Sequence, residues 1–161
     1  MTVLTKVKLP EIYTLKIENF YESDEDLESF ISESLTSVSN FVFLAESYCV
    51  DIHDYLDGLL KIPSVRHLYL KGFMVDSDDA ERLFGGVNAE KLTFESCNIA
   101  IDEEFSISSE SESQDSNSNL PVLKTVSLID SEMDTESVER LRSAIQDSRL
   151  SCTFKNLYVI G

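Results

Sequence analysis

In the stretch SVRHLYLKGFMV, residues 64–75, the apolar residues Val65, Leu68, Leu70, Phe73 and Val75 stand at i, i+3, i+5, i+8 and i+10. That spacing matches neither the helical period of about 3.6 residues nor the strand period of about 2. It recurs along the chain. Ile12, Leu15, Ile17 and Phe20 reproduce its first four positions, and Val38, Phe41 and Phe43 its first three. Ala89, Leu92, Phe94, Cys97 and Ile99 match all five, as do Leu123, Val126, Leu128, Ser131 and Met133 with one small polar substitution. Phe154, Leu157 and Val159 read as the start of a sixth copy. With the second apolar position as marker, the copies fall at 15, 41, 68, 92, 126 and 157, at intervals of 26, 27, 24, 34 and 31 residues. Periodicity on this scale signals a stack of similar units, because one short unit cannot bury its own apolar face.

These five positions resemble the L-x-x-L-x-L-x-x-N/C-x-L pattern of the leucine-rich repeat family, in particular its longer ribonuclease-inhibitor-like class. The resemblance covers nearly the whole chain. It implies an α/β leucine-rich-repeat solenoid of about five to six strand–helix repeats, with a parallel sheet on the concave face. Cys97 alone occupies the N/C position in family style; Phe20, Glu46, Phe73 and Ser131 stand there in other copies, so an irregular solenoid is expected. A different parallel α/β fold is the alternative. The intervening segments support strand–helix alternation. Ser23–Asp26 precedes Leu27, Phe30, Ile31 and Leu35 at helical spacing. Asp76–Asp79 precedes Ala80, Leu83 and Phe84, with Gly85 and Gly86 as a stop. Asp134 or Thr135 caps Val138, Leu141, Ala144 and Ile145, and residues 52–60 form a shorter helix.

The whole of 1–161 reads as one domain, with an acidic serine-rich insert at 102–119 expected to be disordered. Within it Ser109, followed by Glu110 and Glu112, is a candidate phosphosite for an acidic-directed kinase.

The charge excludes more than it assigns. Thirteen Lys and Arg against thirty Asp and Glu give −17, which repels nucleic-acid phosphates and anionic lipid. No nucleic-acid or membrane partner is expected; a protein partner, basic if charge selects it, is. Three cysteines without a C-x-x-C, an N-terminal stretch without an apolar core and no long apolar run suggest a reducing, intracellular setting, cytoplasmic or nuclear.

Three stretches come nearest to reaction chemistry or a known module. Cys49, His53 and Asp54 could form a nucleophile set on one helix, but nothing in the sequence supplies an oxyanion site, and a metal would lack ligands. The acidic run from Asp76 has Glu81 and Val87 where a calcium loop needs Gly and Glu. The LPEI at residues 9–12 is similar to the opening of an F-box, but the rest of that module is missing. No catalytic residue, metal or cofactor is assigned.

By strand alternation, the residues flanking each inward pair line the opposite face. The candidate partner-binding set is Lys16, Val42, Leu44, His67, Tyr69, Lys71, Lys91, Thr93, Ile129 and Tyr158. Fold resemblance points to a non-catalytic interaction module, a scaffold or adaptor akin to substrate-recognition repeats of ubiquitin ligases. The alternative is an acidic chaperone for basic proteins such as histones. The strand Leu157–Ile160, uncapped before Gly161, suggests an edge covered by another chain, in a self-associating or partner-capped array, or else a truncated member of the family.

Overall fold

A computed structural model describes residues 14–20, 38–45, 50–62, 65–107 and 123–160. The repeated spacing becomes a repeated pair of strands. A longer strand carries the L-x-L pair; the chain then turns a corner into a short strand carrying the last apolar position. The longer strands are β1 (Thr14–Phe20), β2 (Asn40–Ala45), β4 (Val65–Lys71), β6 (Ala89–Glu95), β8 (Thr125–Ile129) and β10 (Ser151–Lys155). The short ones are β3 (Val50–Asp51), β5 (Phe73–Val75), β7 (Asn98–Ile99), β9 (Glu132–Asp134) and β11 (Tyr158–Ile160). They form two parallel sheets, a six-stranded one in the order β1-β2-β4-β6-β8-β10 and a five-stranded one in the order β11-β9-β7-β5-β3. The expectation of a single parallel sheet is therefore corrected. In the copies that begin at Val65, Ala89 and Leu123 the last two apolar positions lie beyond a corner, and the short segments there pair among themselves.

The register stacks the marker residues on one rung: Leu15, Phe41, Leu68, Leu92, Val126 and Cys152. Five markers stand where the sequence places them. The sixth does not. Cys152 and Phe154 are the inward pair of β10, and Leu157 and Val159 follow the corner. The discrepancy has a simple origin. Gaps of 3, 2, 3 and 2 repeat after five residues, so Phe154-Leu157-Val159 fits the end of the pattern as well as its beginning.

The corners share a backbone conformation. Gly72, Ser96, Asp130 and Asn156 stand four residues past the marker and have φ of 81°, 51°, 48° and 52°. Left-handed backbone favours Gly and, after it, Asn and Asp. Three corner amides donate to the next copy: Gly72 N to Glu95 O at 3.1 Å, Ser96 N to Ile129 O at 2.9 Å and Asp130 N to Lys155 O at 2.9 Å. The corner interior is closed by two small residues at the fourth apolar position of the repeated spacing. Buried Ser131 accepts from Cys97 N at 3.3 Å and donates to Ile129 O at 3.0 Å, while the Cys97 thiol lies 3.6 Å from Leu70 O.

Three helices are present among the described residues: α1 (His53–Leu60), α2 (Ser77–Gly86) and α3 (Thr135–Gln146). The helix expected around 27–35 lies outside those residues. Asp76 caps α2 by accepting from Asp79 N at 2.8 Å, and Asp134 caps α3 by accepting from Ser137 N at 2.7 Å. Leu56, Leu59, Leu83 and Leu141 join the inward strand residues in one core, where Phe43 meets Tyr55 and Phe73 at ring-centroid distances of 5.1 and 4.9 Å. None of these helices is long and apolar enough to cross a membrane.

The start of the expected disordered insert is ordered. Asp102 N bonds Ser77 Oγ at 3.2 Å, Ser106 Oγ donates to Glu81 at 2.9 Å, and Phe105 packs edge-on against Phe84 at 5.8 Å. Phe105 and Ile107, the two large apolar residues of the segment, are both packed against the core. Residues 108–119, including Ser109, lie outside the described set.

Candidate functional site

Because side chains alternate along a strand, the residues between the inward ones make the opposite face of the six-stranded sheet. The register arranges them in three rows. The first runs Thr14, Asn40, His67, Lys91, Thr125; the second Lys16, Val42, Tyr69, Thr93, Ser127, Thr153; the third Glu18, Leu44, Lys71, Glu95, Ile129, Lys155. Nearly all remain exposed or half-exposed, unlike the inward residues of the four central strands, which are fully buried.

Nine of the ten expected binding residues are on this face: Lys16, Val42, Leu44, His67, Tyr69, Lys71, Lys91, Thr93 and Ile129. The tenth is corrected. Tyr158 belongs to β11 of the five-stranded sheet, opposite Glu132, because the last copy begins five residues earlier than the pattern suggests. The residues standing in its place are Thr153 and Lys155. Asn156 at the corner was the signal that could have found them. Thr93 also needs correction: it points to this face but is 1% exposed, held by a 2.9 Å bond to His67 Nε2.

The centre of the face is a connected polar cluster. Tyr69 donates its hydroxyl to Glu95 Oε2, and Lys71 Nζ lies 2.7 Å from Glu95 Oε1. Partial desolvation, reinforced by the Glu95 bond, holds the Tyr69 phenol protonated well above its usual range. The bond from Lys71, with that from Tyr69, holds the Glu95 carboxyl below the usual carboxylate range. The His67 imidazole, desolvated and near Lys91, is pushed down and stays neutral at pH 7. Its ring stands edge-on to Tyr69 at 6.0 Å. These side chains are therefore fixed in orientation and charge. Glu95, absent from the expected set, organises the cluster. Beside it the apolar Val42, Leu44 and Ile129 are half-buried.

Of the candidate nucleophile set, Cys49 lies outside the described residues. His53 pairs with Asp79 of α2, Nδ1 to Oδ1 at 3.0 Å. Asp79 is buried, and its Oδ2 has no hydrogen-bond partner among the described residues. Burial raises the Asp79 pKa, and the bond to Asp79 raises that of His53. Both shifts favour proton binding in the fold. His53 thus contributes stability fully present below its unfolded pKa, near 6.5, and lost as pH rises through its higher folded value. An NMR titration is expected to give His53 a midpoint above about 6.5. Asp79→Asn should move it back towards that value; an unmoved midpoint would show that the pair does not form in solution.

Burial pushes the Cys97 and Cys152 thiols up to about 11, away from nucleophilic reactivity. Among the described residues no three His, Cys, Asp or Glu side chains gather as a metal would need. Comparison with known protein families, with curated proteins and with solved structures returned no match.

Proposed function

We propose that this chain is an irregular leucine-rich-repeat-like solenoid acting as a non-catalytic protein-interaction module, binding through the open face of its six-stranded sheet. The observation carrying this reading is the cluster at the centre of that face. Tyr69 is held by Glu95, Glu95 is clamped by Lys71, and half-buried Val42, Leu44 and Ile129 lie beside them. A fixed aromatic side chain among aliphatics with a charged rim is the usual anatomy of a recognition surface. Preorganisation reduces the ordering cost on binding. A scaffold or adaptor role in the cytoplasm or nucleus follows from this reading.

The −17 charge favours a second reading, an acidic binder of basic proteins such as histones. Salt separates the two. Capture of partners from lysate, washed at about 0.5 M salt, screens exposed charge pairs. The interaction-module reading expects a partner that survives this wash with wild type and with Tyr158→Ala, and is lost with Tyr69→Ala/Lys71→Ala. A central aromatic anchor contributes about 2 kcal/mol or more, so affinity for that partner should fall about thirtyfold. Capture of basic proteins alone, abolished by salt and indifferent to the Tyr69 change, would overturn it.

A further inference from the structure

Each end of the six-stranded sheet leaves its apolar residues half-covered. On the central strands Phe41, Phe43, Leu68, Leu70, Leu92, Phe94, Val126 and Leu128 are fully buried, whereas Leu15 and Ile17 of β1 and Cys152 and Phe154 of β10 are only partly so. The five-stranded sheet shows the same at β11. Val159 is 52% exposed, although its partner Met133 is buried, and its neighbours Tyr158 and Ile160 are 58% and 54% exposed. Among the described residues β1 pairs only with β2, β10 only with β8, and β11 only with β9. Such edges offer unpaired backbone groups to another chain.

The two ends of the larger sheet match each other. Placing β1 of a second copy beside β10, in the register the sheet already uses, sets Leu15 beside Cys152 and Ile17 beside Phe154 on the apolar side. On the open side it sets Lys16 beside Thr153 and Glu18 beside Lys155. The last pair repeats a contact already present in that row, where Lys71 of β4 holds Glu95 of β6 at 2.7 Å. Lys155 forms no ion pair among the described residues, while Glu18 pairs with Lys16 on its own strand; Lys155, Glu18 and Lys16 are all exposed, so Glu18 can be shared across the edge. The charge along the sequence runs the same way. Residues 1–62 hold four Lys and Arg against twelve Asp and Glu, net −8, whereas residues 123–161 hold five against six, net −1. A copy docking by its N-terminal strand therefore meets the least acidic part of its neighbour.

We propose that a second copy of this chain occupies the β10 edge head-to-tail, its β1 strand continuing the six-stranded sheet and Glu18 pairing with Lys155. Such an interface is heterologous: each assembly keeps one free edge at either end, so association proceeds beyond the dimer. The proposal is independent of what binds the open face.

Sedimentation of the 161-residue protein over a concentration series tests it. At about 0.15 M salt the Debye length is about 8 Å, which confines the repulsion between acidic copies to short range. Wild type is expected to form reversible oligomers larger than a dimer as concentration rises. Lys155→Glu and Glu18→Lys each place like charges across the interface and should weaken association on the order of tenfold. Both substitutions are at exposed positions, and circular dichroism checks that each variant folds. Mixing the two variants should restore pairing between them, because the carboxylate introduced on β10 of one then meets the ammonium introduced on β1 of the other. A wild type that stays monomeric overturns the proposal. So does a closed dimer indifferent to Glu18, which would mean that β10 pairs with its own symmetry mate. Assembly that ignores both charge changes overturns the register.

Discussion

Phe43→Ala is expected to destabilise the protein by about 3–5 kcal/mol, the range for emptying a buried aromatic site. Phe43 is fully buried on β2 and, among the described residues, meets the rings of Tyr55 of α1, Phe73 of β5 and Phe41 on its own strand at 5.1, 4.9 and 6.0 Å. It joins both sheets to a helix, so no single neighbour can close over the cavity. A domain of this size has only about 5–15 kcal/mol in total, and each kcal/mol moves the melting temperature by about 2–4 °C. The melting temperature should therefore fall on the order of 10 °C. Val42→Ala, one residue away on the open face, is the control. Val42 is half-buried, and its loss should cost about 1 kcal/mol or less. Similar losses at the two positions would mean that the alternation of β2 is wrong.

Gly72→Ala should cost about 2–3 kcal/mol for a different reason. Gly72 has φ of +81°, and a Cβ there would lie 2.8 Å from the Ala45 carbonyl oxygen of the preceding copy. Both the backbone conformation and the space oppose a side chain. The other corners separate these causes: Ser96, Asp130 and Asn156 carry side chains at φ near +50°, so the conformation alone is tolerable. Gly72→Asn, which suits left-handed backbone but keeps the Cβ, is accordingly expected to destabilise as well. Ser96→Gly should change little, since relief of strain and added chain entropy oppose each other. Chemical denaturation of the three variants checks this. A Gly72→Asn protein as stable as wild type would show that the Ala45 contact relaxes without cost.

Much of the fold was legible because the spacing is a physical requirement. Leu68 and Leu70 must point one way from a short strand, and Phe73 and Val75 must return to the same core after the corner. The rung through Leu15, Phe41, Leu68, Leu92 and Val126 shows this in five copies. The same logic failed at β10, where Cys152 is a weak apolar signal and the pattern overlaps itself after five residues. Asn156, matching Asp130, Ser96 and Gly72 in backbone, would have resolved it, but positive φ is visible in a sequence only to a reader already looking for corners. Phe105 and Ile107 sit in a stretch too acidic to suggest order. Two side chains packed against the core, with Phe105 edge-on to Phe84 of α2, were enough to order its start.

The site was legible as a face and not as a cluster. Alternation alone placed Lys16, Val42, Leu44, His67, Tyr69, Lys71, Lys91 and Ile129 together, since direction along a strand is local. Pairing across strands is not. That Tyr69 bonds Glu95, that Thr93 is buried against His67, and that His53 finds Asp79 depend on contacts between residues 26 apart in sequence. The apolar period and the alternation, and hence which residues share a face, are written in the order of residues along the chain. The division of the copies into two sheets, the start of the last copy and the pairing of polar groups arise only when the strands come together. Side-chain direction follows from a residue's own backbone, but a hydrogen bond needs the register of a neighbouring strand, and no single strand contains that information.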